Sequence, residues 1–316
     1  MTEMMRPTAP SNLPALVKAA FNKAKANGDV SYYPTQAAVL TPGSIAFQLR
    51  YAPSLAHKPK VPKPKDANSK PFNPFENPSL CMLVAELPPS HRLVLNKFAI
   101  VPEHFILVTK AFKPQTYVLE QDDIAATFAC IQAYRAAEQE LFAFFNSGPH
   151  SGASQPHRHL QLLSVENMRD GLDDIHGGSQ WSVLADTLNE SSKSLPFKVL
   201  TARIGSEMSA EERHGAYLEL YRQAAKAVFP DREVGGEGEA QISYNFAMTS
   251  STMALCPRTA EGVMLKSKTG EDIGQVSLNG TVLAGTALVK DQAEWDALRE
   301  DPDKFLDVLK GIGLPP

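Results

Sequence analysis

"NSGPHSGASQPHRHLQLL", residues 146–163, sets His150, His157 and His159 and the serines Ser147, Ser151 and Ser154 ahead of a leucine-rich run. After Pro156 there is no glycine, and polar side chains alternate with apolar ones. A strand through that run puts His157, His159 and Gln161 on one face and Arg158, Leu160 and Leu162 on the other. Period two thereby gathers three polar side chains on one surface, where neighbours can hold an imidazole in a single tautomer. Upstream, Gly148 and Gly152 permit close backbone approach. Such a loop can present several N–H groups to an oxyanion without net positive charge.

Two chemistries fit this pattern. A neutral histidine can attack phosphorus and form a covalent phosphoramidate, splitting one displacement into two easier ones. With an unperturbed pKa of about 6.5, histidine has a useful neutral fraction near pH 7. A His-x-His pair can equally hold a metal. A zinc site wants a third ligand, for which His150 is the candidate, since no acidic residue occurs between Glu140 and Glu166. A cupin-like site expects a glutamate soon after the pair, and Glu166 lies too far along. Spacing alone leaves nucleophile and metal ligand as equal readings.

The surrounding chain narrows the class. Its 316 residues can bury a large core, and 43% hydrophobic with 21% charged residues is ordinary for a globular protein. The formal charge of −4 argues against a basic nucleic-acid surface, so an anion must be held by local dipoles and a few placed lysines. Cys81, Cys130 and Cys256 are far apart in apolar settings and read as buried thiols, not as a disulfide framework. No apolar run approaches membrane length, and "MTEMMRPTAPSN" lacks a secretory apolar region. Together these predict a soluble cytoplasmic or nuclear protein with no membrane and no nucleic-acid partner.

Helical spacing of Leu13, Leu16, Val17, Ala20, Phe21 and Ala24 predicts a first helix, with Ser11 as its cap and Gly28 past its end. In "IAFQLRY", Ile45, Phe47, Leu49 and Tyr51 alternate onto one strand face. The lysine- and proline-rich stretch 57–78 reads as a loop. "CMLVAEL" reads as an apolar strand, and "RLVLNKFAIV" with "FILVTK" as a hairpin broken at "PEH". A helix follows, its dipole favoured by Asp122 or Asp123, and then a strand at "LFAFFN". Ser209 and Glu212 fit a capping box opening another helix. "ISYNFAMTSSTMALCPR" reads as a second hairpin, and "DPDKFLDVLKGIG" as a C-terminal helix.

"NKFAIVPEHFILVTK" and "YNFAMTSSTMALCPR" overlay without a gap, with Phe98 on Phe246, Ala99 on Ala247, Leu107 on Leu255 and Lys110 on Arg258. That internal likeness suggests two related half-modules.

The stretch 146–163 resembles the catalytic segment of fungal-type diadenosine tetraphosphate phosphorylases, or ATP adenylyltransferases, of the histidine-triad superfamily. "YAPSLAHKPK", "NPF", "LNKFAIVPEHFILVTKAF", "NSG", "GASQPHRHLQ", "SYNF" and "LVK" are similar to family segments in the same order. The resemblance implies a histidine-triad-like α+β fold, with antiparallel sheets flanked by helices in two related half-modules. Residues 1–190 would form the catalytic half, and 191–316 the half that completes the nucleotide cleft. It implies that His159 attacks an α-phosphorus of diadenosine tetraphosphate, ATP leaves, and inorganic phosphate discharges the adenylyl-histidine as ADP. His157 would orient His159. Gln161, where hydrolases of the superfamily carry histidine, would hydrogen-bond phosphoryl oxygens and favour transfer to phosphate over water. Nucleotide contacts fall on Asn146, Ser147, Gly152, Ala153, Ser154 and Gln155, and on Lys58, Asn96, Lys97, Asn279, Gly280, Thr281 and Lys290, with Thr286 nearby. A divalent cation such as magnesium would accompany the polyphosphate, with no organic cofactor and no protein metal cage. The competing classes are another nucleotidyltransferase (a uridylyltransferase or ADP sulfurylase), a non-catalytic nucleotide sensor and a cupin-like oxygenase.

Overall fold

In the computed structural model, which describes residues 7–57, 72–188 and 195–316, the chain enters through helix α1 (Leu13–Ala26). Pro14 sits in its first turn, where a missing N–H leaves nothing unpaired, and Leu13, Val17, Phe21 and Ala24 form the buried stripe. The cap is Asn12, not Ser11, and it makes no side-chain hydrogen bond. Strands β1 (Ser31–Tyr32), β2 (Gln36–Leu40) and β3 (Phe47–Tyr51) follow. After the lysine–proline stretch come β4 (Leu83–Leu87), β5 (His91–Leu95), β6 (Phe98–Ala99) and β7 (Phe105–Thr109). Helix α2 (Gln121–Arg135) leads into β8 (Leu141–Ser147) and β9 (His159–Ser164). Short helices α3 (Val165–Arg169) and α4 (Leu184–Thr187) precede β10 (Leu200–Arg203) and α5 (Ala210–Val228). The chain finishes with β11 (Ser243–Met248), β12 (Thr252–Arg258), β13 (Gly262–Lys266), β14 (Asp272–Ser277), β15 (Thr286–Val289), α6 (Gln292–Glu300) and α7 (Asp303–Gly311).

Eight strands form one sheet in the order β10-β12-β11-β8-β9-β7-β5-β4, and every neighbouring pair is antiparallel. β8 from the first part of the chain pairs with β11 from the last, so strands on both sides of residue 190 share one ladder. Alternation sends Ala143, Phe145, Leu160, Leu162 and Phe246 to the face packed with α1, α2 and α5. Phe142, Phe144, Leu163 and Ala247 point the other way, into a core shared with β3, α6 and α7. There β15 and β2 flank β3 in a smaller three-stranded sheet. The aromatic residues of "LFAFFN" are all core, divided between the two faces.

Several expectations change in detail. β3 is buried on both faces, because Gln48 and Arg50 opposite the apolar row are also enclosed. Arg50 there donates to Gln48, Thr35 and the carbonyls of Met168 and Asp170, which is what makes its burial tolerable. The first hairpin is β5 against β7, with Leu95 opposite Phe105, while β6 leaves to pair with β1. In the second hairpin Phe246 sits opposite Leu255, so the gapless sequence overlay does not carry over to strand register. The dipole-favouring Asp123 is buried and paired. Cys130 and Cys256 are buried with thiols pushed up to about 12, whereas Cys81 is only half-buried.

A charged cluster ties α2 to the root of β9. Arg158, 1% exposed, donates from Nη1 to Asp123 Oδ2 and Glu120 Oε1, each at 2.8 Å. Its Nη2 reaches the Val118 carbonyl, and His91 Nε2 meets Asp123 Oδ1 at 2.8 Å. Burial alone raises the Asp123 carboxyl, but the His91 hydrogen bond and the Arg158 charge outweigh it and hold the group below its ordinary range. Removing one member of a fully buried pair strands the other. Asp123→Ala is therefore expected to lower the unfolding free energy by about 3–5 kcal/mol, measured by urea denaturation. Glu120→Gln, at a site 52% exposed, is expected to change it by under about 1 kcal/mol. Equal effects of the two would refute the role given to burial.

Candidate functional site

β8 and β9 pair from Leu141 opposite Ser164 to Phe144 opposite Gln161. Continued, that register would set Asn146 opposite His159. The strands part there instead, and the side chain of Gln115 occupies the gap. Its Nε2 donates to the carbonyls of Asn146 (2.8 Å) and His159 (3.1 Å), and its Oε1 accepts from the His159 N–H (2.8 Å). Gln115 is placed by its own backbone, since Gln115 N bonds Pro156 O and Arg158 N bonds Lys113 O. The regular strand thus begins at His159, while His157 precedes it in an isolated bridge to Pro114.

His159 is 5% exposed, and its Nδ1 lies 2.8 Å from the His157 carbonyl. A carbonyl only accepts, so Nδ1 carries the proton and Nε2 keeps its lone pair. Burial depresses the imidazole pKa to about 4, against the His157 carbonyl bond that raises it. The ring is neutral at pH 7, with Nε2 free of any proton.

His157 orients His159 through its main chain, not its ring. Both nitrogens of the His157 ring are engaged: Nε2 at 2.8 Å from Thr109 O and Nδ1 at 2.9 Å from Asn73 Nδ2. Asn73 Oδ1 accepts from Phe75 N, which leaves the Nδ2 hydrogens to donate to Nδ1. A ring so occupied has no lone pair left for a metal. Phe75 and Phe112 contact it with centroids 5.9 and 5.3 Å away, and Phe75 also lies 5.0 Å from the His159 ring. Phe75 belongs to the "NPF" triplet, whose two ends therefore serve the histidines directly. Among the described residues no group of three or more histidines, cysteines and carboxylates is arranged to hold a metal ion.

Gln161 follows on the same face as His159. His104, just before β7, alternates onto that face with Ile106 and Val108. Asn96 Nδ2 donates to His104 Nδ1 at 2.8 Å, and Asn96 Oδ1 accepts from Phe98 N. The His104 proton is therefore on Nε2, and the Gln161 side chain is its partner there. Burial holds His104 down to about 3, so it is a neutral donor. Asn96 acts here as a turn residue and a brace for His104.

The glycine loop closes against the second half of the chain. Gly148 (φ 85°) brings its Cα within reach of Ser243, whose Cα would lie 2.9 Å from an added Cβ. Gly152 (φ 79°) lies against Asn279, whose Cβ would be 2.8 Å from an added one. Both are thus required by protein contacts as well as by their left-handed backbone. Ala153 and Ser154 are exposed and Gln155 half-buried. Asn279 Oδ1 accepts from Thr281 N and Thr281 Oγ1, and Gly280 N donates to Asn146 Oδ1 at 2.8 Å.

Not every expected contact converges. Ser147 is fully buried and shares the face of Tyr244, away from His159. Lys97 is exposed beside the Phe98 ring, and Lys290 is exposed just beyond β15. Neither bonds His157, His159 or Gln161 among the described residues. Thr286 is buried, with its carbonyl accepting from Thr281. His150 is exposed. Lys58 lies outside the described residues. Sequence reading missed Gln115, Asn73, Phe75, His104, Asn245 and Arg258. For the "NPF" pair and for Asn245, the matched segments were already a signal.

Residues 3–173 match the Ap4A phosphorylase N-terminal domain, and residues 193–315 the ATP adenylyltransferase C-terminal domain. Diadenosine 5',5'''-P1,P4-tetraphosphate phosphorylase 2 of Saccharomyces cerevisiae is 29% identical, over 96% of this chain and 95% of its own length. The crystal structure of yeast Ap4A phosphorylase Apa2 in complex with Ap4A superposes with a TM-score of 0.75 at 24% identity, covering 98% of this chain and 99% of that one. The complex of the same protein with AMP gives 0.72 at 25% identity, covering 98% of each.

Two measurements test the site as built. His159, His104 and His157 all have folded pKa values lowered by burial, to about 4 and about 3 for the first two. Unfolded histidines titrate near 6.5, so the unfolded chain binds more protons below that pH. Their contribution to stability is complete above about 6.5 and is lost as pH falls towards 4, at up to about 1.4 kcal/mol per pH unit for each ring. Urea denaturation between pH 7.5 and 4.5 should show this decline, with a shallower slope for His159→Gln; parallel slopes would refute it. Gln115→Met should destabilise the fold by about 1–3 kcal/mol for each buried backbone group left unpaired. An unchanged urea midpoint would mean that Gln115 does not replace the missing ladder bonds.

Proposed function

The chain belongs to the Ap4A phosphorylase family, and on that premise we propose that it phosphorolyses diadenosine 5',5'''-P1,P4-tetraphosphate to ADP and ATP with His159 as nucleophile. One observation carries the assignment of the nucleophile: His159 donates from Nδ1 to the His157 carbonyl and keeps an unprotonated Nε2 where β8 and β9 part. Enzymatic adenylyl transfer between small-molecule nucleotides is the activity of the class.

The steps follow from this chain's own groups. Nε2 attacks an α-phosphorus, the bond to the bridging oxygen breaks, and ATP departs. The imidazole becomes cationic on adenylylation, and its Nδ1–H then donates more strongly to the His157 carbonyl, which stabilises the intermediate without moving a proton. An oxygen of inorganic phosphate next attacks the same phosphorus, the N–P bond breaks, ADP leaves and His159 returns neutral. The reverse sequence makes the dinucleotide from ATP and ADP.

Charge develops on the phosphoryl oxygens, so donors aimed there do the most. In this reading Gln161 supplies one, its carbonyl engaged by His104 and its NH2 directed to the phosphoryl group. Asn146 supplies another. Ala153, Ser154, Gln155, Asn279 and Thr281 line the approach for ribose and the remaining phosphates. A divalent cation would be held by the polyphosphate's own oxygens, because the described residues offer no carboxylate cage for it.

Intact-protein mass spectrometry after brief incubation with Ap4A and no phosphate tests the reaction. The expected result is an added adenylyl group on the wild type, absent in His159→Ala and discharged as ADP when phosphate is supplied. Turnover without any adduct would replace the covalent route by direct displacement. No adduct and no turnover would move a nucleotide-binding sensor to the front. Gln161→Ala is expected to slow adenylylation by about 10²–10³-fold, the usual effect of deleting one oxyanion donor. Every phosphorus of Ap4A carries two bridging oxygens, so none has a secondary ionisation in this range. The single-turnover rate should therefore stay level from pH 7.5 down to about 5, since the His159 pKa is about 4. An acid limb near 6.5 would contradict the buried, neutral nucleophile.

A further inference from the structure

Arg258, at the end of β12, is 3% exposed and lies on the same face of the sheet as His159. Its Nε donates to Ile312 O at 3.1 Å, and Nη2 to the carbonyls of Ala260, Glu261 and Leu278 at 2.9–3.0 Å. Its Nη1 donates to Asn245 Oδ1. A guanidinium has five N–H donors and no acceptor, so the orientation of the Asn245 amide is dictated: oxygen to Arg258, NH2 away. The two Nδ2 hydrogens of Asn245 then go to Asn146 Oδ1 and Ser151 O, each at 2.9 Å. Asn146 Oδ1 takes its second hydrogen bond from Gly280 N at 2.8 Å. Both lone pairs of that oxygen are filled, so the Asn146 NH2 must point away from them. Gly280 is needed for this approach, because an added Cβ would lie 2.8 Å from Asn146 Oδ1 and 2.7 Å from the Phe144 ring.

Asn146 stands where the ladder would place it opposite His159, with its own carbonyl held by Gln115. We propose that Arg258 and Asn245 are positioning residues that, without touching substrate, fix the Asn146 amide as a hydrogen-bond donor toward the phosphoryl group attacked by His159. The relay is one-way. It begins at a cation that can only donate, and each amide along it inherits one orientation. This rests on the reading of Asn146 as a phosphoryl contact. It adds that the donor's polarity is set from the second half of the chain.

Asn245→Asp is the discriminating variant. Its carboxylate keeps the partner of Arg258 and nearly the same shape, but offers an acceptor to Asn146 where a donor stood. The Asn146 amide then cannot satisfy both that acceptor and the Gly280 N–H, and it no longer holds its NH2 toward the phosphoryl group. Single-turnover adenylylation by Ap4A, read by mass spectrometry of the full chain, would be measured for wild type, Asn245→Asp, Asn146→Ala and the double variant. The expected result is a loss of about 10²–10³-fold in the rate at saturation for Asn245→Asp, on the scale of one lost oxyanion donor. KM would change little, and the double variant would be no slower than Asn146→Ala alone. With AMP as probe, the side-chain amide NMR signal of Asn146 should shift in the wild type and not in Asn245→Asp.

A wild-type rate for Asn245→Asp, with Asn146→Ala slow, would overturn the relay and leave Asn146 as a phosphoryl donor. An additional loss in the double variant would also overturn it, since Asn245 would then act through the fold generally. A wild-type rate for Asn146→Ala would remove the donor reading itself, and the relay with it. Absence of any adduct on the wild type would instead be a failure of the covalent phosphorylase reading.

Discussion

The structure depends on one place where two central strands stop pairing without losing their hydrogen bonds. β8 and β9 are neighbours in the middle of an eight-stranded sheet, enclosed on both faces. Buried backbone N–H and C=O groups must be paired, so a gap between such strands is normally expensive. The Gln115 carboxamide offers the same donor and acceptor as a peptide unit, and it bridges the gap at Asn146 and His159. The sheet stays continuous below the gap. At the gap, the side chains of Asn146 and His159 lie on the same face of the sheet.

The segment 157–159 is held from several sides at once. Arg158 is locked into the acidic cluster at the start of α2, His157 into Asn73 and Thr109, and His159 into the His157 carbonyl. That holds the ring of His159, the proposed nucleophile, against a main-chain carbonyl whose position does not depend on the His157 rotamer. The same enclosure keeps the ring neutral. A solvated imidazole would be half protonated near pH 6.5, whereas this one is protonated only near pH 4. Burial lowers basicity, and the Nδ1–H···O=C bond partly restores it by favouring the cation formed on attack. The proposed reaction uses both effects, one to keep the lone pair available and the other to receive the charge.

How much of this was legible in the sequence follows from the range of each interaction. Strand alternation, the Ser209–Glu212 capping box and the amphipathic α7 are local, and each stands where its pattern predicts. α6 was missed, although Gln292–Glu300 has a local cap at Asp291. The His-x-His-x-Gln row showed which side chains share a face, but not that the strand begins only at His159. The register of β5 with β7 depends on β6 leaving for β1, a non-local choice that the gapless overlay cannot contain. Asp123 looks like a dipole-favouring residue until Arg158 is brought against it. Gln115 sits in a plain loop sequence, and nothing local marks it as a substitute strand residue. The resemblance to a family carried Asn146 and the loop. It also swept in Ser147, which alternation turns to the other face.

The polarity of the site is the last consequence of these long-range contacts. Every carboxamide near His159 has two orientations of almost equal shape and opposite chemistry, donor or acceptor. Several are fixed by partners that cannot reverse: Gln115 by backbone groups, Asn96 by the Phe98 N–H, Asn245 by the Arg258 guanidinium, and Asn146 by the Gly280 N–H together with the Asn245 NH2. In the proposed reaction, donors beside His159 suit an anionic phosphoryl group, and acceptors there would repel it. In the proposed reaction a chain with net charge −4 would therefore hold a highly anionic ligand beside neutral His159 by placed donors. The fixed partners of Asn146 come from β11 and from the turn after β14, so its side of the cleft acquires its sign only when the second half of the chain has joined the ladder at β8.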